Sequence, residues 1–204
     1  MRYLLRRERE LWEEGLLRVA GVDECGMGPL AGPVVAAAVI FPPGCGLRGV
    51  NDSKRVAPAR REKLAVAIRQ EAASFCVVEV DHHEIDQLNI YHAGLVAMRR
   101  ALDGLAEPPD HVLVDGRELP GLPYPQERVI KGDAKCHAIA AASILAKTVR
   151  DALMAEFDQR YPGYGFAAHK GYPTEAHRDA IRRLGPSPIH RMSFRLLPQP
   201  TLFG

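Results

Sequence analysis

Apolar and polar positions alternate along the chain in two rhythms, one strand-like and one helical, and together they predict an α/β protein. Residues 4–14 set Leu4, Leu5, Leu11 and Trp12 near helical spacing among arginines and glutamates, which predicts an amphipathic helix. Apolar runs over 16–22 and 33–41 read as two strands joined by a glycine-rich turn. A surface helix over 58–72 opens on Pro58 and carries Leu64 and Ile68 one turn apart. A strand over 75–80 follows, then a helix over 91–105 with Leu95, Met98 and Leu102 at helical steps. Short strands are predicted at 112–114 and 128–130, on either side of a proline-rich connection. The stretch from about Ala138 to Phe157 reads as a long helix with the apolar stripe Ile139, Ala142, Ala146, Val149 and Leu153. Lys147, Arg150 and Asp151 are expected elsewhere on its surface. A Gly/Pro/aromatic loop over 161–173 leads to a last helix over 174–184, with Thr174 as N-cap and Gly185-Pro186 as stop. The tail from Pro198 is expected to be loose.

A length of 204 residues suits one such domain with a sizeable core and a small C-terminal appendage. The candidate boundary falls near Tyr161, dividing 1–160 from 161–204. With 47% hydrophobic and 25% charged residues the composition is that of an ordinary globular protein rather than a disordered one. Cys25, Cys45, Cys76 and Cys136 form no C-x-x-C pair, which fits reduced thiols in a cytoplasmic protein. The N-terminus lacks the continuous apolar core of a secretory signal, and no run is long enough to span a membrane. Net charge is only +2, yet residues 131–191 carry ten Lys/Arg against six Asp/Glu, a mild bias toward a polyanionic partner. A solvated basic helix face explains that bias equally well.

The candidate chemistry lies where apolar runs stop. Asp23 and Glu24 follow the run over 19–22, Asp115 follows 111–114, and Asp133 follows 129–132. Taken singly, Asp115-Gly116 also reads as a plain turn and Asp133 as a helix cap. Three strand-like segments ending in acids point to one edge of an open sheet, where α/β proteins assemble sites. Four converging carboxylates supply the hard oxygens that Mg²⁺ or Mn²⁺ takes, a pattern suited to phosphodiester hydrolysis with two metal ions. The adjacent pair His82-His83 does not have zinc-ligand spacing. Gly26-Met27-Gly28 lies beside the first acid pair, where glycine permits close backbone approach to a ligand, or simply a tight strand connection. Asn51-Asp52-Ser53-Lys54, Lys131, Lys135, Lys147, Arg150 and His169-Lys170 are candidate phosphate donors, though isolated lysines are ordinarily solvated surface. Tyr172 could stack on a sugar or base, or pack on Pro173. Cys25 reads as a small buried thiol.

Ordered motifs along nearly the whole chain resemble the type 2 ribonucleases H, and specifically bacterial ribonuclease HII. They include Gly21-Val22-Asp23-Glu24-Cys25-Gly26-Met27-Gly28-Pro29, Asn51-Asp52-Ser53-Lys54, Val114-Asp115-Gly116, Lys131-Gly132-Asp133-Ala134-Lys135, Ala140-Ala141-Ala142-Ser143, His169-Lys170-Gly171-Tyr172-Pro173 and Ile189-His190-Arg191. The resemblance implies a ribonuclease H-like fold: a central mixed sheet flanked by helices, with a C-terminal helical appendage that binds substrate. It implies an endonuclease acting on RNA/DNA hybrids and on ribonucleotides embedded in duplex DNA, leaving 3′-hydroxyl and 5′-phosphate ends. Asp23, Glu24, Asp115 and Asp133 match the family's metal-binding catalytic acids, and the cofactor implied is Mg²⁺ or Mn²⁺. Gly26, Met27 and Gly28 fall on its ribonucleotide-sensing turn and Tyr172 on its stacking tyrosine, while Lys54, Lys135 and Lys147 are the expected phosphate contacts. A monomer without membrane contact is the default. The competing reading is a catalytically weak hybrid-binding protein, against which the four intact acids argue.

Met27 departs from the family pattern, which has arginine between the two glycines, and Cys25 replaces a small alanine-like residue. A turn that works mainly through its backbone keeps recognition of the 2′-hydroxyl with methionine, because main-chain groups can meet that group, whereas a turn whose arginine charge contributes to binding has weaker affinity or junction preference here. The expected outcome is retained cleavage with reduced substrate affinity. Comparison of Met27→Arg with the parent checks it: affinity or junction preference should change, and no change in either refutes the expectation.

Overall fold

In a computed structural model that describes residues 4–198, the apolar run after Arg18 becomes the central strand of a mixed sheet. Among the described residues the sheet has five strands: β1 (Val19–Cys25), β2 (Val34–Ile40), β3 (Ser74–Val80), β4 (His111–Asp115) and β5 (Gln126–Val129). Their order is β3-β2-β1-β4-β5. β1 pairs antiparallel with β2, and β2 with β3, while β1–β4 and β4–β5 are parallel. The three parallel strands therefore end at the same edge of the sheet.

Helices cover both faces, which explains why β2 reads as an unbroken apolar run instead of an alternating one. Val34, Ala36, Ala38 and Ile40 pack with Ala97, Met98 and Leu102 of the helix α4 (Ile90–Asp103). Val35, Ala37 and Val39 face the other way, onto Ala140, Ala141, Ile144 and Leu145 of α5 (His137–Arg160) and onto Leu64 and Ile68 of α2 (Pro58–Glu71). Ile139, Ile144 and Leu145 are fully buried, and each contributes about 1.5–3 kcal/mol relative to exposure. The three consecutive alanines let α5 lie close on the sheet. The helix α1 (Arg6–Glu13) closes the β4–β5 side with Leu11, and buried Glu8 accepts a 2.9 Å hydrogen bond from the Ala138 N–H at the start of α5.

Several elements differ from expectation. β1 runs on through Cys25, so Asp23 and Glu24 sit within the strand rather than after it. A helix α3 (His82–Leu88) was not expected; only Ile85 is buried there, too little for a periodic signal, and Asp81 caps it by accepting from the Glu84 N–H. The loop over 161–173 contains the short helix α6 (Phe166–His169). Arg150 is not on the surface of α5 but fully buried. The last helix, α7 (Glu175–Leu184), starts at the Thr174 cap as expected. It belongs to a C-terminal region tied to the body through Phe166, Ile189, Ala31 and Met154. Of the tail, only Pro198 lies within the described residues.

Gly21 shows how tightly the central strand and α5 approach. A Cβ there would overlap the Ala138 backbone and come to 2.6 Å from the Ala138 side chain, with only backbone to give way. Gly21→Ala should cost about 3 kcal/mol or more in a denaturant titration; an unchanged midpoint and slope would contradict this packing.

Candidate active site

Parallel pairing builds the site from the sheet outward. Val22 lies opposite Val114, so the next residues, Asp23 on β1 and Asp115 on β4, emerge side by side at the common edge. Beyond β5 the left-handed Lys131 turns the chain into a short 3-10 turn, Gly132–Ala134, which carries Asp133 to the same edge. The Gly132 N–H donates to Asp115 Oδ1 at 2.6 Å and fixes that turn against β4. Alternation along β1 sends Asp23 toward Ser143 of α5 and Glu24 toward the α4 side, where Arg117 Nη2 donates to Glu24 Oε1 at 3.1 Å. All four acids line one open cleft of ≈ 740 Å³.

Charge in this cleft is unbalanced. Burial pushes the Asp23 carboxyl well above the usual carboxylate range, and the neighbouring Glu24 and Asp115 push it further. Burial raises Glu24 as well, partly offset by the Arg117 guanidinium. Asp133 is raised by burial and by Asp52 and Asp115, with Lys54 acting against them. Glu24 Oε2 is buried with no hydrogen-bond partner among the described residues. An orphaned carboxylate oxygen among mutually repelling acids is what a hard divalent cation satisfies, so the donor set fits Mg²⁺ or Mn²⁺. Among the described residues no three His, Cys, Asp or Glu side chains already enclose one point. Glu24 leans on Arg117 instead, and Asp115 on the Gly132 amide.

The expected substrate residues divide. Met27, Lys54, Lys147 and Tyr172 line the acidic cleft, and so does Gly26. A Cβ on Gly28 would stand 3.7 Å from Tyr172 Cε1, so the turn and the ring adjoin. Met27 lies against α4 where Gly94 leaves room: a Cβ there would reach 3.0 Å from the Met27 sulfur. Lys147 pairs with Asp151 at 2.6 Å, and Arg61 holds the other oxygen of that carboxylate at 2.8 Å. Lys135 is not brought into the cleft. One residue beyond the turn, it lines a separate groove with Arg6, Arg7 and Glu10 of α1. Arg150 is no phosphate donor either, because its buried nitrogens are spent on the carbonyls of Ala31, Pro33 and Lys170. Arg117 and Arg61 also line the cleft, although neither stands out in the sequence as a site residue. Arg117 stands two residues past Asp115, so the parallel register could have placed it.

A family model described as ribonuclease HII matches residues 20–197. The chain belongs to the ribonuclease HII family. It is accordingly a ribonuclease H enzyme. Among its relatives, ribonuclease HII of Myxococcus xanthus is 58% identical over 195 residues, which cover 95% of this chain and 67% of that protein. Ribonuclease HII of Moorella thermoacetica is 57% identical over 188 residues, 92% of this chain and 91% of the relative. The crystal structure of ribonuclease H2 from Pyrococcus horikoshii OT3 superposes with a TM-score of 0.76 at 29% identity, over 88% of this chain and 95% of that one. The mixed sheet flanked by helices is thus the ribonuclease H2 architecture.

The segment bearing Tyr172 rests on a buried histidine relay. His177 Nδ1 lies 3.0 Å from the Tyr172 carbonyl and must donate to it, which leaves its Nε2 to accept from His190 Nε2 at 3.1 Å. His190 Nδ1 then accepts from the Ser187 N–H at 2.8 Å. Every ring nitrogen is satisfied only while both rings are neutral. Burial accordingly lowers His190 and pulls His177 down to about 4. An unfolded histidine titrates near 6.5, so between about 4 and 6.5 the unfolded chain binds the extra proton. This stability is present above pH 6.5 and lost as pH falls toward 4, by on the order of 3 kcal/mol for His177. His177→Gln should flatten the pH dependence of unfolding free energy across that window; an unaltered slope would refute the relay.

Proposed function

We propose that the chain is an endonuclease that hydrolyses the RNA strand of RNA/DNA hybrids and cuts at ribonucleotides embedded in duplex DNA, leaving 3′-hydroxyl and 5′-phosphate ends. The observation that carries this reading is the gathering of Asp23, Glu24, Asp115 and Asp133 in one cleft with an unsatisfied Glu24 oxygen, in a chain of the ribonuclease HII family. These four residues are the proposed catalytic acids and would hold two Mg²⁺ or Mn²⁺ ions. When bound, such ions would supply Lewis acidity to activate a water and to stabilise charge on the leaving 3′ oxygen. Asp23 and Asp115 hold fixed places on paired strands, so they set the position of the scissile phosphate against the sheet edge.

The remaining lining has separate tasks. Lys54 and Lys147 meet phosphates, which positions the duplex without reading its sequence. The turn at Gly26, Met27 and Gly28 meets the 2′-hydroxyl, the group that separates RNA from DNA locally. Tyr172, 39% exposed beside that turn, offers a ring face to the adjoining sugar or base. Residues 1–160 form the catalytic body and 161–204 the substrate-binding appendage in this reading, which takes the chain as a monomer acting in the cytoplasm. No described helix is long and apolar enough to cross a membrane.

A labelled duplex with one ribonucleotide tests the reading directly. Cutting should occur at the ribonucleotide, require Mg²⁺ or Mn²⁺ and stop on chelation. Asp115→Asn should lower the rate on the order of 10³-fold while duplex binding persists, and that binding should weaken as salt rises. Binding without cutting in either cation would favour the weak hybrid-binding alternative.

A further inference from the structure

Two fully buried arginines lie behind the Gly26-Met27-Gly28 turn, and among the described residues neither forms an ion pair with a carboxylate. Burying a guanidinium without a counter-charge is costly unless every N–H finds an acceptor. For Arg191 every acceptor is a main-chain carbonyl of residues 26–33. Nη2 donates to Gly26 at 2.7 Å and to Pro33 at 3.1 Å. Nη1 donates to Pro29 at 2.8 Å and to Met27 at 3.3 Å, and Nε to Gly32 at 2.9 Å. Arg150 adds Ala31 and Pro33 of the same segment. It also holds the Lys170 carbonyl, and its guanidinium lies 6.0 Å from the Tyr172 ring centroid. Burial and the neighbouring Arg150 pull Arg191 down to about 9, which leaves it charged at neutral pH.

The consequence follows from peptide geometry. No cis peptide occurs among the described residues, and in a trans peptide the C=O and the next N–H point in opposite directions. Drawing the Gly26 and Met27 carbonyls onto Arg191 therefore turns the Met27 and Gly28 N–H groups away from it. Met27 lines the acidic cleft, and Gly28 borders Tyr172 on the cleft wall. Adjacent main-chain N–H groups turned away from Arg191 beside the cleft, with two positive charges behind them that meet no carboxylate among the described residues, make a place for the lone pairs of a sugar hydroxyl or phosphate oxygen.

We infer that Arg191, backed by Arg150, is a positioning residue for ribonucleotide recognition: its guanidinium holds the turn with the Met27 and Gly28 N–H groups presented to the 2′-oxygen side of the substrate. This rests on the reading above that the turn senses a ribonucleotide. It also accounts for methionine at position 27, since the positive charge comes from behind the turn and the contact comes from the backbone.

The test compares two duplexes of identical sequence, one with a single ribonucleotide and one all DNA. Binding is measured in the Asp115→Asn background with Mg²⁺, alongside a thermal melt. The background chain should prefer the ribonucleotide duplex. Arg191→Lys keeps the charge but not the planar five-donor fork, and should lower that preference roughly tenfold while melting cooperatively and retaining affinity for all-DNA duplex. A folded Arg191→Lys chain with the preference intact, or with equal loss on both duplexes, overturns the positioning role and leaves only a structural one. A background chain with no preference overturns instead the sensing reading beneath it. If Arg191→Lys does not fold, amide exchange in the unsubstituted Asp115→Asn chain decides. The Met27 and Gly28 amides should be protected more by the ribonucleotide duplex than by all-DNA duplex, and equal protection overturns the inference.

Discussion

Carboxylates that share a half-buried cleft repel one another, and this repulsion is the constraint around which the structure is arranged. Parallel pairing of β1 with β4 brings Asp23 and Asp115 out side by side, and the turn after β5 adds Asp133 to the same edge. A protein could relieve such crowding with arginines at close range, yet among the described residues one guanidinium, that of Arg117, reaches one acid, Glu24. The rest of the strain is left in the acids, with Asp23, Glu24 and Asp133 all held harder to ionise than in water. That is a poor solution for stability alone and a good one for holding divalent cations.

Behind the turn that follows β1 lies the complementary imbalance. Among the described residues Arg150 and Arg191 are buried without a paired acid, and their charge is spread over main-chain carbonyls, those of residues 26–33 for Arg191 and those of Ala31, Pro33 and Lys170 for Arg150. Acids are thus concentrated at the sheet edge, while the guanidiniums are concealed behind the turn that follows β1. Tyr172 sits at the junction, with the Arg150 guanidinium near its ring and the neutral histidine relay beneath its carbonyl. The C-terminal region thus shapes a cleft whose acids all come from the sheet side of the chain.

Much of this was legible in the residues. Apolar runs ending in acids marked the strands that converge, because a parallel sheet places strand ends together whatever the intervening chain does. The long helix, its alanine face and the Thr174 cap were legible for the same reason: each is a local signal. The continuation of β1 through Asp23 and Glu24 was hidden, because charged residues at a strand's end look like a turn until a paired neighbour is known. Lys135 and Lys147 look alike as isolated lysines, and only the turn over residues 132–134 sends one to the α1 groove. Arg150 misled for a related reason. An arginine in a helix reads as solvated, and the acceptors that bury this one are carbonyls about 117–119 positions away in the chain.

The most direct measurement is the anomalous scattering of crystals grown or soaked with Mn²⁺. The account predicts density within coordination distance of Asp23, Glu24, Asp115 and Asp133, with the Glu24 oxygen that now lacks a partner among the ligands. Strong manganese peaks confined to other parts of the surface, with the four carboxylates free of metal at saturating concentration, would contradict it.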